Sequence, residues 1–175
     1  MSGELKGSCH CGAVRFSLQS STPVVSPRFN HFSTTYFSQL CLCSICRKVG
    51  GAGRSILLGG HFGTLKIEQG KEHLGVYKAV MNRDTPEEHI AGSERNFCPK
   101  CATMLWVYHK TWPELVHPYA AAIDSPLQTP EKMVCLMTDS KPDYVRLPEG
   151  PKDTFPNLLN MSLEGWHKEH NLYVE

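Results

Sequence analysis

Hydrophobic and polar residues alternate most regularly just after the first two cysteines of the chain. Val14, Phe16 and Leu18 fall on one side of this alternation, and residues 13, 15 and 17 fall on the other. Side chains along a strand point to opposite faces with a period of two. Residues 13–18 are therefore predicted to form a half-buried β-strand.

Short hydrophobic runs of strand length recur along the chain, separated by glycine, proline, asparagine and aspartate. They predict further strands at residues 32–37, 55–58, 65–68, 75–80, 104–108, 119–123 and 133–138. Residues 44–49 are predicted to form a helical turn with Ser44 as its N-cap and Gly50 as its end. Prolines make residues 142–157 irregular, and residues 158–170 carry only a weak helical pattern. The pattern favours a mostly β fold of compact antiparallel sheets with few short helices.

The composition is that of a globular chain without a strong charge preference. Hydrophobic residues make up 41% and charged residues 20% of the sequence, which supports a sizeable core and argues against a largely disordered chain. The formal net charge is +1, and no basic run is longer than Arg47-Lys48. We therefore predict neither nucleic acid nor a membrane as a partner.

Length and local hydropathy indicate how many domains the chain forms and where in the cell it is expected. A sequence of 175 residues fits one domain. No apolar stretch approaches the ~20 residues of a membrane span, and the residues before Cys9 lack the apolar segment of a signal peptide. We expect a reducing, cytoplasmic location, in which cysteines serve more often as metal ligands than as disulfides.

Seven of the eight cysteines fall into three tight groups, and only Cys135 stands alone. The groups are Cys9 with Cys11, Cys98 with Cys101, and the trio Cys41, Cys43 and Cys46. Zinc takes four ligands in a closed structural site, and three protein ligands in a catalytic site that keeps one position open. The seven cysteines therefore divide economically into a site of four from the two pairs and a site of three from the trio.

The spacing leaves two other interpretations open. Cys43, Cys46, Cys98 and Cys101 form two C-x-x-C pairs, and such pairs are also the ligands of an ordinary zinc ribbon. Either pair is alternatively a dithiol redox site, although no βαβ pattern surrounds it. Cys135 lies in an apolar run and is predicted to be a buried free thiol.

The cysteine motifs and their flanks form a recognisable set. They read G-S-C-H-C-G-A-V-R-F at residues 7–16, C-L-C-S-I-C-R-K at 41–48 and F-C-P-K-C at 97–101. In this order they resemble the glutathione-dependent formaldehyde-activating enzyme family, which also contains centromere protein V. A-I-D-S-P at residues 122–126 and S-K-P-D-Y at 140–144 are similar to later landmarks of the family.

The resemblance implies a mostly antiparallel β fold with two zinc ions per chain. It implies a structural zinc on Cys9, Cys11, Cys98 and Cys101, and a catalytic zinc on Cys41, Cys43 and Cys46. It also implies carbon-sulfur chemistry with glutathione as co-substrate, on the formaldehyde adduct S-hydroxymethylglutathione. We expect a zinc-binding domain of this family at residues 1–150, and a carboxy-terminal extension at 151–175 that packs on the same domain.

The sequence departs from the family pattern at a few places. Ala102 stands where the family usually has glycine, and Tyr144 replaces a tryptophan. Segments 26–40 and 80–92 are longer than usual and border the second and third cysteine groups. Loops beside an open site reshape a pocket without touching its metal, so the aldehyde-side substrate is left open.

Residues near the trio suggest how a substrate would be held. A zinc ion on three thiolates suits a soft sulfur ligand, so a thiol at the open position is expected to bind as its thiolate. Arg47 and Arg54 are predicted to bind the carboxylates of glutathione. The candidates for proton transfer are His31, His61, His109 and His117.

We predict a zinc-dependent carbon-sulfur lyase, or the reverse adduct-forming enzyme, that acts on a glutathione or other thiol adduct of an aldehyde-like carbon. Its partner is that small-molecule thiol adduct, and association into a homo-oligomer is compatible with the sequence. The alternative is a non-catalytic, zinc-stabilised binding protein of the centromere protein V type, which is expected to carry a basic or disordered extension. A third interpretation, a metal-storage or redox-sensing protein, requires exposed and labile thiols.

Overall fold

The chain folds mostly into β-strands, which a computed structural model describes for residues 3–20, 39–127 and 133–158. The strands are β1 (Gly3–Ser8), β2 (Arg15–Ser20), β3 (Gln39–Cys41), β4 (Ser55–Leu57), β5 (Gly60–His61), β6 (Lys66–Gln69), β7 (Gly75–Tyr77), β8 (Val80–Met81), β9 (His89–Ile90), β10 (Ser93–Phe97), β11 (Met104–His109), β12 (Leu115–Pro118), β13 (Met133–Leu136) and β14 (Lys152–Phe155). Helix α1 (Ser44–Val49) and 3-10 turns at Phe62–Thr64, Lys71–His73, Ala120–Ala122 and Thr138–Ser140 complete these ranges. The predicted mostly β fold class is confirmed. Within the same ranges, no helix has the length and hydropathy needed to cross a bilayer.

The described strands form four sheets. A three-stranded sheet has the order β1-β2-β6, and a five-stranded sheet has the order β5-β12-β11-β10-β7; both are antiparallel. The four-stranded sheet has the order β14-β13-β3-β4, and β13 runs parallel to both of its neighbours. Strands β8 and β9 pair separately, within the segment 80–92.

The main core lies between the three-stranded and five-stranded sheets. Phe16 of β2 packs edge-on against Trp106 of β11, with ring centroids 5.1 Å apart. Val14, Phe16 and Leu18 are all buried, as the alternation predicted. Cys9 and Cys98 belong to the same core, so the ends of two hairpins are packed into it.

A second, smaller core lies at the four-stranded sheet. Leu40 of β3, the adjoining Leu42, Cys135 of β13 and Val145 pack together there. Cys135 is a fully buried free thiol, as expected. This core supports the backbone on both sides of Cys41.

One predicted strand is divided in two, and another is wrong. Residues 75–80 divide between β7, which pairs with β10, and β8, which pairs with β9, because the chain leaves one sheet at the buried Ala79. The strand predicted at residues 119–123 is replaced by the 3-10 turn Ala120–Ala122, with an isolated β-bridge at each flanking residue. The backbone of this segment crosses β1 at Gly7, where the missing side chain leaves room for the carbonyl of Ala122.

The carboxy-terminal segment is less irregular than the prolines suggested. Lys152–Phe155 lies inside the segment 142–157 that was predicted to be irregular, yet it forms β14, which pairs in parallel with β13. This strand lies within the extension predicted at residues 151–175. Residues 32–37 and the helical pattern beyond residue 158 lie outside the described residues.

Candidate functional site

The turns of two β-hairpins bring together the four-cysteine cluster, which consists of Cys9, Cys11, Cys98 and Cys101. The first pair lies in the turn between β1 and β2, and the second lies in the turn between β10 and β11. In each turn the N–H of the first cysteine donates to the carbonyl of the residue five positions later, at 3.0 Å. The two turns therefore have a common local form and present two sulfurs each.

The sulfur geometry of the four-cysteine cluster fits a tetrahedral ion. All four sulfurs lie within 4.8 Å of one another. The Cys9 and Cys11 sulfurs are 3.6 Å apart, and the Cys11 and Cys98 sulfurs are 3.9 Å apart. Ligands at about 2.3 Å from a tetrahedral zinc lie about 3.8 Å from each other, so the spacing suits this metal.

Hydrogen bonds favour the charged form of two of these sulfurs, those of Cys9 and Cys101. The N–H of Val14 donates to the Cys9 sulfur at 3.2 Å. The hydroxyl of Thr103 accepts from the N–H of His10 at 3.1 Å and lies 3.2 Å from the Cys101 sulfur. The hydrogen bond from Thr103 lowers the pKa of Cys101 to about 5. A thiolate is the form that binds metal, so Thr103 supports the cluster from both turns.

Ala102 has an unfavourable backbone conformation in the second turn of the four-cysteine cluster. Its backbone is left-handed, with φ of 59°, and its N–H donates to the Cys98 carbonyl at 2.7 Å. A left-handed conformation costs an L-residue about 1–2 kcal/mol, and glycine avoids that cost. Glycine would therefore suit the backbone of this turn better than alanine does.

We expect Ala102→Gly to stabilise the protein by about 0.5–1 kcal/mol, because relief of the strain exceeds the ~0.4–1 kcal/mol lost to the greater freedom of glycine in the unfolded chain. Urea unfolding of the zinc-loaded protein measures this difference. Ala121→Gly is the matched control, because Ala121 is also exposed but is not left-handed. That control should lose stability, and an equal loss for Ala102→Gly would contradict the prediction.

The three-cysteine cluster, which consists of Cys41, Cys43 and Cys46, forms at the junction of β3 and α1. Cys41 ends β3, where it pairs with Ser55 of β4. Cys43 rather than Ser44 is the N-cap of α1, and its sulfur accepts the N–H of Cys46 at 3.4 Å. The predicted helix is confirmed, but its cap is displaced by one residue because the cysteine sulfur takes the capping role.

The environment of the three-cysteine cluster favours one thiolate on its exposed side. Cys41 and Cys46 are buried, whereas Cys43 is half-buried. Hydrogen bonds from the thiols of Cys41 and Cys46 lower the pKa of Cys43 to about 2. The three sulfurs lie within 4.8 Å of one another, which suits a metal bound by three protein ligands.

Three buried side-chain polar atoms in the described ranges lack a hydrogen-bond partner, and all belong to residues around the three-cysteine cluster. They are Nε of Arg47, Nε of Arg95 and the hydroxyl of Tyr119. Arg95 and Tyr119 are only 5% and 3% exposed. Burial raises the pKa of Tyr119, negative charge on Cys46 when it is deprotonated adds to this rise, and the guanidinium of Arg95 opposes it. These groups therefore lie close enough to interact electrostatically.

Strand pairing brings Tyr119 to the cluster from the five-stranded sheet. Tyr119 directly follows β12 and forms an isolated β-bridge with Leu57 of β4. The same strand carries Ser55, which lies opposite Cys41 and donates its hydroxyl to the Cys46 carbonyl at 2.7 Å. Strand β4 thus connects the three-cysteine cluster to the end of β12.

The predicted substrate-binding arginines occupy different environments. Arg47 lies on α1 directly after Cys46, half-buried and with its Nε unpartnered. Arg54 donates from Nη1 to the Arg146 carbonyl at 3.0 Å, which fixes one end of its guanidinium. Both lie beside the three-cysteine cluster in sequence, and binding of substrate carboxylates by them stays a prediction.

The candidate histidines are scattered. Nδ1 of His117 lies 3.2 Å from the Leu58 carbonyl, and burial lowers the pKa of this residue, so its ring is neutral at pH 7. His109 packs against Trp112. His61 lies in β5, and His31 falls outside the described residues.

Arg95 and Tyr119 were not among the predicted site residues. Arg95 lies in S-E-R-N-F, a polar run that gives no alternation of strand type, so β10 was missed as well. It precedes a pair of the four-cysteine cluster in sequence, which gives no signal for a place beside the three-cysteine cluster. Tyr119 opens an apolar run and was interpreted as part of a strand.

A cavity of about 440 Å³ lies elsewhere, on the opposite side of β10 and β11 from Arg95. It is lined mainly by Phe62, Leu65, Ile67, Leu74, Trp106 and Tyr108. None of the seven clustered cysteines lines it. The chemistry of the sulfurs and this cavity are therefore separate features of the fold.

Comparison with known proteins agrees with the cysteine pattern. Residues 4–139 match the protein-family model described as "Glutathione-dependent formaldehyde-activating enzyme". A Halomonas elongata protein named "Putative glutathione-dependent formaldehyde-activating enzyme" is 44% identical over 165 residues, which make up 93% of this chain and 94% of that protein. The crystal structure of a Rhodobacter sphaeroides protein is similar at 23% identity and a TM-score of 0.48, over 70% of this chain and 90% of that chain.

Proposed function

This chain belongs to the glutathione-dependent formaldehyde-activating enzyme family, and from that premise we propose that it is a zinc-dependent carbon-sulfur lyase, or the reverse adduct-forming enzyme. Its substrate class is the adduct of glutathione with an aldehyde, of the S-hydroxymethylglutathione type. One observation carries the proposal. The sulfurs of Cys41, Cys43 and Cys46 gather within 4.8 Å beside buried donors that have no partner in the protein.

The two cysteine clusters receive different roles in this proposal. The four-cysteine cluster holds a structural zinc, because four thiolates close a tetrahedral site. The three-cysteine cluster holds a catalytic zinc, because three thiolates leave one position for another ligand. When bound, this second ion would supply a positive centre that keeps a thiol in its thiolate form.

Arginines beside the three-cysteine cluster are proposed to hold the rest of the substrate. Glutathione carries two carboxylates, and guanidinium groups bind carboxylates through paired N–H donors. Arg47 offers an unpartnered Nε directly after Cys46. Arg54, held by its bond to the Arg146 carbonyl, offers its remaining donors.

The reaction balances without an oxidant or reductant. In the lyase direction, the hydroxyl of the adduct loses its proton while its oxygen forms the carbonyl bond of the aldehyde. The carbon-sulfur bond breaks, its electron pair stays on sulfur, and the proton completes the thiol. The reverse reaction joins the same atoms in the opposite order, so residues that stabilise the oxygen act in both directions.

The state of the cysteines is consistent with a cytoplasmic enzyme. All eight are unpaired thiols in this structure. Thiolate ligands persist where the environment is reducing, whereas oxidising compartments favour disulfides. A cytoplasmic location is therefore part of the proposal.

We expect the zinc-loaded protein to contain two zinc ions per chain by elemental analysis, and to accelerate the exchange between glutathione and its ¹³C-formaldehyde adduct in exchange NMR spectra. Removal of the metal with a chelator should return the exchange to the uncatalysed rate, and reloading with zinc should restore it. Buffer without protein sets the reference rate. If fully loaded protein never exceeds this reference for formaldehyde or a panel of larger aldehydes, the enzyme proposal fails and a zinc-stabilised binding domain explains the fold better.

A further inference from the structure

Arg95 and Tyr119 place two unpartnered polar groups in a buried position beside the three-cysteine cluster. We infer that these two side chains form an oxygen-binding subsite, which receives the aldehyde-derived oxygen of the thiol adduct and stabilises the negative charge that develops on it. The inference rests on the proposed function, since it assigns residues that act on the substrate of that reaction. It assigns residues that contact the reacting oxygen, whereas the site formed by the three cysteines is proposed to bind the sulfur of the substrate.

The strand register puts Arg95 on the face of the sheet that carries the chemistry. Arg95 of β10 lies opposite Val107 of β11, and Val107 lies opposite His117 of β12. Residues paired across strands share a face, while the next residue along each strand points to the other face. Asn96 accordingly shares its face with Trp106, in the main core.

The hydrogen bonds available to these groups are incomplete. Nη1 of Arg95 donates to the hydroxyl of Ser93 at 2.7 Å, but its Nε has no partner. The hydroxyl of Tyr119 has none either. Buried polar groups are nearly always hydrogen-bonded, and a buried guanidinium nearly always has an anionic partner. Among the described residues no carboxylate forms an ion pair with Arg95, so an oxygen of the substrate would satisfy both groups.

The charge at the site also favours this role. Three thiolates carry three negative charges, and a divalent ion offsets only two of them. An incoming thiolate makes the cluster more negative, which opposes any further negative charge on the substrate oxygen. The positive charge of Arg95 would offset this, and its unpartnered Nε together with the unpartnered hydroxyl of Tyr119 gives a preorganised donor set.

The subsite has a defined task in each direction of the reaction. In adduct formation, the thiol sulfur bonds to the carbonyl carbon and the carbonyl electron pair moves to oxygen. The N–H of Arg95 and the O–H of Tyr119 donate hydrogen bonds to that oxygen, which then takes up the proton released by the thiol. In adduct breakdown the same donors hold the oxygen while its proton leaves and the carbon-sulfur bond breaks.

Tyr119→Phe tests the inference because it removes only the unpartnered oxygen. A merely structural tyrosine with a satisfied hydroxyl loses stability on this change, whereas an unpartnered hydroxyl can be removed without loss. The variant should keep two zinc ions per chain, unfold at the wild-type temperature or above it, and lose turnover about a hundredfold or more while KM changes little.

Tyr108→Phe is the matched control, since Tyr108 lies on the other face of β11, and it should behave as the wild type. Arg95→Lys is the second variant, which keeps the charge but loses the guanidinium fork, and it should fall between Tyr119→Phe and the wild type in kcat.

Formate gives a readout that does not depend on turnover, because this small carboxylate offers oxygens to the same donors. Sodium formate should raise the unfolding temperature of the zinc-loaded wild type above its value in sodium chloride at the same concentration, and Tyr108→Phe should respond in the same way. The rise should be smaller for Tyr119→Phe and Arg95→Lys. If the wild type shows this effect and Tyr119→Phe loses it, the subsite stands even where no adduct is turned over, and only the proposed reaction fails. If Tyr119→Phe turns over the adduct at the wild-type rate, or responds to formate as the wild type does, the subsite is wrong and the proposed reaction is unaffected.

Discussion

Cys98→Ser is expected to unfold the protein at room temperature, which is the largest effect that the structure predicts for a single substitution. Cys98 is fully buried, belongs to the main core and supplies one of the four sulfurs of the four-cysteine cluster. Structural zinc contributes about 10–16 kcal/mol in zinc-finger peptides, whereas a whole domain is typically stable by only about 5–15 kcal/mol. Loss of zinc binding through one missing ligand therefore removes free energy comparable to the whole stability of the fold.

Circular dichroism would measure the loss of folded structure, and elemental analysis would measure the loss of zinc. Cys135→Ser is the matched control, because Cys135 is equally buried but belongs to neither cluster. Burial of its hydroxyl should cost about 1–3 kcal/mol and leave the zinc content at the wild-type value. If Cys98→Ser melts no lower than Cys135→Ser, the four-cysteine cluster is not a structural metal site.

The strands that could be predicted are those whose own side chains determine their burial. Residues 13–18 overlap β2 because Val14, Phe16 and Leu18 enter one core, and residues 104–108 overlap β11 for the same reason. Strand β10 has no such pattern. Its sequence, S-E-R-N-F, is held in the sheet by pairing with β7 on one side and β11 on the other. Pairing with strands that are distant in sequence does not produce an alternation of hydrophobic and polar residues within the strand itself.

The two cysteine clusters were predictable because metal ligands must converge, and few partitions of seven cysteines are economical. The groups at residues 9–11 and 98–101 meet although the chain between them forms several strands. The sulfur spacing agrees with the division into four and three, and the sequence spacing alone left a ribbon open. Identification of the metal and its role still rests on the proposal above.

The polar partners of the three-cysteine cluster were not predictable from local sequence. Tyr119 reaches this site through a bridge to Leu57, and Arg95 through the register of β10 with β11. Both depend on tertiary contacts. Their significance also lies in an absence of hydrogen bonds, which only a structure reveals.

Cys43→Ser is expected to abolish turnover of the glutathione adduct while the protein stays folded. Cys43 caps α1 through its sulfur, and serine is among the preferred N-cap residues, so the start of the helix should be preserved within about 1 kcal/mol. The half-buried position also spares the core. With one thiolate lost from a site that has only three, zinc should fall from two ions to one per chain and turnover should drop by at least about a hundredfold.

The contrast between Cys43→Ser and Cys98→Ser follows from the length of chain that each cluster closes. The four-cysteine cluster links sulfurs 87 positions apart, such as those of Cys11 and Cys98, whereas the three-cysteine cluster lies within residues 41–46. Closing a long loop removes more conformational freedom from the unfolded chain than closing a short one. Thermal unfolding, zinc content and exchange NMR on the same samples separate the two effects. A Cys43→Ser variant that keeps both zinc ions and wild-type turnover would place the reaction elsewhere, while one that unfolds like Cys98→Ser would make both clusters structural.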